Sequence, residues 1–123
     1  AKCFECHFSP DSTVDDSRNI GLFNGGQYND SGRYNHTRNI ADIGKFKVPG
    51  LRNVAVTAPY MHDGSMKTLR EVIDYYDQPQ KFVTNAIGRD SVLREPLNLT
   101  EQDKQDLEAF LHSLTDDRFV KKL

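Results

Sequence analysis

The chain carries two cysteines and places both at its head, in Cys3-Phe4-Glu5-Cys6-His7. Two thiols spaced C-x-x-C on one helical turn can add to the two vinyl groups of a porphyrin. The histidine that follows at once then lies directly below the iron, where its imidazole can be the proximal ligand. Other chemistries use cysteines too. Zinc needs about four Cys or His ligands closed tetrahedrally, and the remaining histidines, His36, His62 and His112, are scattered singly. A thioredoxin-like dithiol follows a strand in a βαβ pattern, whereas Ala1 and Lys2 alone precede Cys3. A disulfide from Cys3 to Cys6 would close a tiny loop with little entropic benefit. Covalent haem c is the reading the pentapeptide supports.

A chain of 123 residues is expected to form one domain over 1–123. It is polar for a globular chain, 37% hydrophobic with no tryptophan, and its mean hydropathy is -0.68. A domain of this size has a marginal core, and a buried haem would supply the missing apolar surface. The formal net charge of -2 and the lack of a basic stripe with interleaved aromatics argue against nucleic acid. No run of about 18 apolar residues is present to span a membrane. Haem attachment to C-x-x-C-H implies an exported, periplasmic location, so the start of the chain reads as processed or trimmed.

The elements that must hold the motif are short. Residues 1–10 are expected to form a brief helix ending near Pro10. From Asp11 to Gly44 the turn signals Asp15-Asp16, Asn24-Gly25-Gly26 and Asn29-Asp30-Ser31-Gly32 predict loop, broken by the apolar knot Ile20, Leu22 and Phe23. So long an irregular segment is unusual unless it wraps something, and a haem edge is a sufficient reason. Pro49, Gly50 and Pro59 punctuate the next run, with a brief helix expected near Leu51 to Ala55.

Thr68 and Glu71 then form a T-x-x-E capping box, followed by Leu69, Val72, Ile73 and Tyr76 on one apolar face. This phase turns Tyr76 inward and Tyr75 towards the rim. Residues 78–97 read as loop. The last helix starts at Thr100 with Glu101 and Asp103 favouring its dipole, and its inner face is Leu107, Phe110, Leu111 and Leu114. His112 falls off that stripe and reads as solvated; Lys121 and Lys122 close a frayed tail. On the far side of the iron from His7, composition leaves Met61, Met66, His62, a tyrosine or no ligand open. A thioether would raise the potential and a phenolate would lower it.

The run Gly44-Lys45-Phe46-Lys47-Val48-Pro49-Gly50-Leu51-Arg52-Asn53-Val54-Ala55, with Thr57-Ala58-Pro59-Tyr60-Met61-His62-Asp63-Gly64-Ser65, resembles the C-terminal domain of bacterial dihaem cytochrome c peroxidases and MauG-like proteins. Thr68-Leu69-Arg70-Glu71-Val72 to Tyr76, Leu99-Thr100, Phe110-Leu111 and Leu114-Thr115 continue the likeness, which with the haem motif covers nearly the whole chain. It implies a mainly α, cytochrome c-like domain, with short helices and long loops wrapped around one covalent haem c. Family members carry two haem domains: the N-terminal haem reacts with peroxide and the C-terminal haem relays electrons.

This chain matches the C-terminal half alone, so it reads as a fragment whose partners are the N-terminal haem domain and a small redox-protein donor. The alternative is a stand-alone monohaem electron carrier. The family's distal-ligand position falls on Tyr76, where MauG-like members use tyrosine; Met66 and Met61 are the alternatives. The resemblance also implies that Arg52 pairs with a propionate and that His62 supports the haem. It further implies that Thr57 and Pro59 offer part of a Ca²⁺ site shared with the other half.

Overall fold

A computed structural model describes residues 2–8 and 10–120 of the chain. Lys2–Glu5 forms a 3-10 turn, and the Cys6 and His7 amides both donate to the Cys3 carbonyl, at 3.2 and 2.9 Å. The helix expected over residues 1–10 is therefore this single turn. Ala1, Ser9 and the tail expected at Lys121 and Lys122 lie outside the described residues.

The stretch from Asp11 to Gly44, expected as loop, is mostly irregular but carries short elements. Strand β1 (Ser17–Arg18) pairs antiparallel with β2 (Phe46–Lys47), Ser17 opposite Lys47 and Arg18 opposite Phe46. A pair of two-residue strands carries no periodicity to read beforehand. Helix α1 (Tyr34–Thr37) and a 3-10 turn at Ile40–Asp42 lie between them. The organising side chain is Asn19, buried at 3% exposure. Its amide donates to the Ile43 and Ile87 carbonyls at 2.8 and 2.9 Å, and its Oδ1 accepts from the Gly21 amide at 2.8 Å. One carboxamide thus satisfies backbone groups of three loops that have no ladder of their own. The brief helix expected near Leu51 to Ala55 is instead a 3-10 turn at Val54–Val56.

Helix α2 (Leu69–Asp77) begins at the capping box read from the sequence. Thr68 Oγ1 accepts from the Glu71 amide at 3.1 Å, and the Glu71 carboxylate accepts from the Thr68 amide at 3.2 Å. The segment 78–97, expected as loop, contains the short α3 (Pro79–Phe82) and a 3-10 turn at Ser91–Leu93. Helix α4 (Glu101–Ser113) starts where expected, capped by Thr100 with Asp103 closing the box, and α5 (Asp117–Val120) follows.

Helices α2 and α4 pack together, joined by Lys104. Its ammonium lies 2.7 Å from Asp74 and 3.0 Å from the buried Asp77. Asp77 also accepts from the Leu99 amide at 2.9 Å. This anchors the chain as it enters α4. The docked stripe of α4 runs through Lys104, Leu107 and Leu111. Phe110, expected on the inner face, lies just beyond the edge of that stripe and is 57% exposed. His112 is exposed, as its phase predicted.

Leu22, Met66, Tyr75 and Val83 form the sealed centre of the core. Around them Ile20, Tyr28, Tyr60, Met61, Val72, Tyr76 and Ala86 are only partly buried. The chain is helix-rich with long loops, and its own core is thin.

Candidate haem site

The geometry of His7 is the first observation with chemical content. Its Nδ1 lies 2.9 Å from the Ser12 carbonyl oxygen. A carbonyl only accepts, so Nδ1 carries the proton and Nε2 keeps its lone pair. A backbone carbonyl on the rear nitrogen is the usual way a metal-ligating histidine is oriented and made more basic. Ser12 reaches this position with φ of 55°. A contact through a main-chain oxygen leaves no trace in the side-chain pattern, so the sequence did not reveal Ser12.

Both cysteines are free thiols, Cys3 exposed and Cys6 half-buried. Burial pushes the Cys6 thiol up, opposed by the Arg18 guanidinium nearby. Arg18 in turn is fixed by Asp90, Nη1 to carboxylate 2.9 Å. Burial alone would raise Asp90, but the Val92 amide and the Arg18 guanidinium hold it below the ordinary carboxylate value of 3.8. A carboxylate depressed in the folded state adds stability that is complete above its unfolded pKa and is lost as pH falls through the folded one. Asp90→Asn, which keeps an oxygen for the Val92 amide, should therefore cost about 1–2 kcal/mol near neutrality, a charge-assisted hydrogen bond discounted for partial exposure. Denaturant melts of the two proteins should converge below about pH 4. A gap that stays constant into acid would remove the Arg18 pair as the cause.

Around α2, Tyr76 falls between Val72 and Ile73, in the middle of the apolar arc, and Tyr75 lies towards its edge. Burial runs the other way. Tyr75, expected at the rim, is fully buried at 0% exposure, while Tyr76 is half-buried. The correction has a physical cause: the helix is wrapped on its Tyr75 side by the Ile20–Leu22 loop and Val83, while Tyr76 is left half-buried with the haem motif near it. Burial pushes the Tyr76 phenol well up, and the nearby Tyr75, Cys3 and Cys6 side chains add to the shift in the same direction. Tyr75 is pushed up to about 12, mainly by burial. Tyr76 thus lies near the two motif thiols, and Ile20, Val72 and Met61 are, like it, half-buried against the core.

These residues fit a haem. The thiols are free, the His7 Nδ1 is occupied by the Ser12 carbonyl, and a half-buried phenol lies near the thiols. Haem c, where bound, would supply one-electron redox chemistry, and Cys3, Cys6, His7 and Tyr76 are the residues that would hold it.

The other expected site residues are placed elsewhere. Met66 is buried in the core cluster, and its backbone pairs with Tyr60, the Tyr60 amide donating at 2.7 Å. Met61 is half-buried with φ of 68°. His62 is exposed and stacks on Phe46, ring centroids 3.8 Å apart and 11° from parallel. Arg52 is exposed and helps to hold the Asp116 carboxyl below its ordinary value. Thr57 and Pro59 are exposed, the Thr57 hydroxyl donating to the Val54 carbonyl. Among the described residues, no group of three or more His, Cys, Asp or Glu side chains is gathered for a metal ion. A hollow of about 480 Å³ runs between α1 and β2, lined by Arg33, His36, Lys45 and Phe46 among others, and contains none of the haem-motif residues.

Comparison with known proteins places the chain in a family. The chain is 45% identical over 86 residues to cytochrome-c peroxidase IdrP1 of Pseudomonas sp. (strain SCT), a match covering 70% of this chain and 22% of that protein. It is 34% identical over 118 residues to the methylamine utilization protein MauG of Methylophilus methylotrophus, covering 93% of this chain and 32% of the relative. The chain belongs to the cytochrome c peroxidase and MauG family. It fits the C-terminal haem domain of those proteins.

No protein-family model matches the chain. Among solved structures, a MauG-like protein associated with microbial copper homeostasis superposes with a TM-score of 0.74 at 39% identity, over 94% of this chain and 42% of that one. The dihaem peroxidase BthA from Burkholderia thailandensis shares the fold at a TM-score of 0.71. The chain spans less than half the length of each of these relatives. No helix among the described residues is long and apolar enough to cross a membrane.

Proposed function

We propose that this chain is the electron-relay domain of a dihaem cytochrome c peroxidase or MauG-like oxidoreductase. It holds one haem c through Cys3 and Cys6, with His7 as proximal and Tyr76 as distal ligand. The observation that carries the reading is the histidine whose Nδ1 is committed to the Ser12 carbonyl, together with a half-buried phenol near the motif thiols. In the proposed arrangement, His7 keeps Nε2 basic through its rear hydrogen bond. Tyr76 presents an oxygen donor that favours the oxidised metal. The Arg18–Asp90 pair keeps a fixed charge couple beside the Cys6 attachment.

The distal residue distinguishes the branches. A phenolate lowers the potential and suits an oxidase of the MauG kind, whereas a thioether would suit a higher-potential peroxidase relay. The reading places the peroxide-reactive haem in an N-terminal domain outside this chain, the electron donor in a small redox protein, and the whole in the periplasm. The test is a resonance Raman spectrum of the ferric, haem-loaded protein beside Tyr76→Phe. Phenolate modes present in the parent and absent from the variant are expected. A sulfur–iron mode in both would remove Tyr76 from the iron and return the assignment to Met61 or Met66.

A further inference from the structure

Tyr75 is the most completely buried large side chain in the described fold, and the proposed function gives it no task. Its hydroxyl donates to the Ile20 carbonyl at 2.6 Å, across 55 residues of sequence. The Arg89 guanidinium lies beside that hydroxyl. Arg89 is itself held by the ends of α3, its Nη2 donating to the Val83 carbonyl at 2.6 Å and the Pro79 carbonyl at 3.3 Å. The guanidinium is seated over Gly21, where φ is 95° and any Cβ would run into Arg89 Nε. Tyr75 is therefore gripped at its polar end by a loop whose glycine is required twice over, by backbone conformation and by contact.

The ring is gripped as well. Phe82 meets it edge-on, centroids 5.5 Å apart at 62°, and Leu22, Met66 and Val83 seal it into the core. Its remaining aromatic contact is Tyr76, edge-on at 5.5 Å and 80°. Tyr76 has an open side towards the haem motif and a closed side towards Tyr75. A terminal sp³–sp² torsion such as its χ2 is broad and roughly two-fold. Its ring plane must be set by the rigid neighbour on the closed side.

We propose that Tyr75, through its hydroxyl anchor on Ile20, is the positioning residue that fixes the ring of the distal ligand Tyr76. This rests on the assignment of Tyr76 to the iron proposed above. Tyr75 does not touch the metal. It acts by denying Tyr76 the ring tilt that would let its oxygen leave. Tyr75→Phe keeps the ring and deletes the anchor, leaving the Ile20 carbonyl without its donor.

The test uses ferric, haem-loaded protein with covalent haem verified on denatured chains. The readouts are the EPR line shape and the rate at which added imidazole displaces the distal ligand. Tyr75→Phe should keep phenolate Raman modes, broaden the EPR signal into more than one species and speed imidazole entry about tenfold. Phe82→Leu, at an exposed position that folding tolerates, should do the same more weakly, about threefold. In a Tyr76→Phe background, Tyr75→Phe should change neither readout, because the coupling is lost with its object. If both single variants match the parent in line shape and imidazole rate and differ only in melting temperature, Tyr75 is a packing residue and the inference is overturned. If Tyr76→Phe itself leaves the phenolate modes in place, the ligand assignment fails first and the inference falls with it.

Discussion

Replacing Tyr76 by phenylalanine in the haem-loaded protein is expected to raise the reduction potential by about 0.1–0.3 V, part of the roughly 0.8 V range that axial ligands command. The sign follows from charge. A phenolate is a hard anionic donor that stabilises the ferric ion more than the ferrous one, so its removal disfavours the oxidised state. The site amplifies the effect. Burial pushes the Tyr76 phenol up, which means that a neutral environment resists the anion unless a cation stabilises it. In the proposed state that cation is the metal, and the strength of the bond reports how much of the desolvation cost the metal offsets.

The half-buried setting of Tyr76 limits access of water to replace the lost oxygen. The variant should therefore be partly five-coordinate and bind imidazole readily. Spectroelectrochemical titration of parent and variant measures the shift directly. An unchanged potential would mean that Tyr76 is not an iron ligand and that the open side of α2 serves packing alone.

The parts of this molecule legible in its sequence are those where local chemistry decides structure. The Thr68–Glu71 box and the Thr100 start are read correctly because a cap is a contact between neighbours in sequence, visible as residue types at fixed spacing. The haem motif is legible for the same reason. Tyr75 and Tyr76 show where that logic ends. Helical phase orders residues around the axis, but burial depends on what covers each side. The Ile20–Leu22 loop that seals Tyr75 lies over fifty residues away in the chain. Phe110 fails in the same manner: one step around α4 separates a docked residue from an exposed one, and the docking angle is fixed by Lys104 reaching Asp74 and Asp77. The pairing of β1 with β2 and the bridging by Asn19 are long-range events in residues without pattern. The Ser12 carbonyl behind His7 is main chain and has no letter in the code.

The second large effect concerns the fold itself. Cys3→Ala/Cys6→Ala, which removes both attachment thiols, is expected to abolish the cooperative thermal transition that the haem-loaded parent should show. The core explains why. Among the described residues eight hydrophobic side chains are buried, Leu22, Phe23, Leu69 and Tyr75 among them. Ile20, Val72, Met61 and Tyr76, packed against that core, are only half covered.

A porphyrin covering roughly 200–400 Å² of apolar surface at about 25 cal/mol per Å² contributes roughly 5–10 kcal/mol. That is comparable to the whole stability of about 5–15 kcal/mol typical of a folded protein. Without it, short helices joined by long loops retain their caps, which are local, and lose the apolar cover that makes them one unit. The double variant should keep helical far-ultraviolet dichroism, melt gradually and bind a hydrophobic dye, the behaviour of a compact state without fixed packing. Calorimetry of both proteins decides it. A haem-free variant melting in one sharp transition within a few degrees of the parent would show that the thin core suffices alone. The polar composition would then need another explanation. The same experiment separates covalent tethering from mere occupancy, because haem held only by His7 and Tyr76 in the variant should be lost on dilution, with cooperativity lost in parallel.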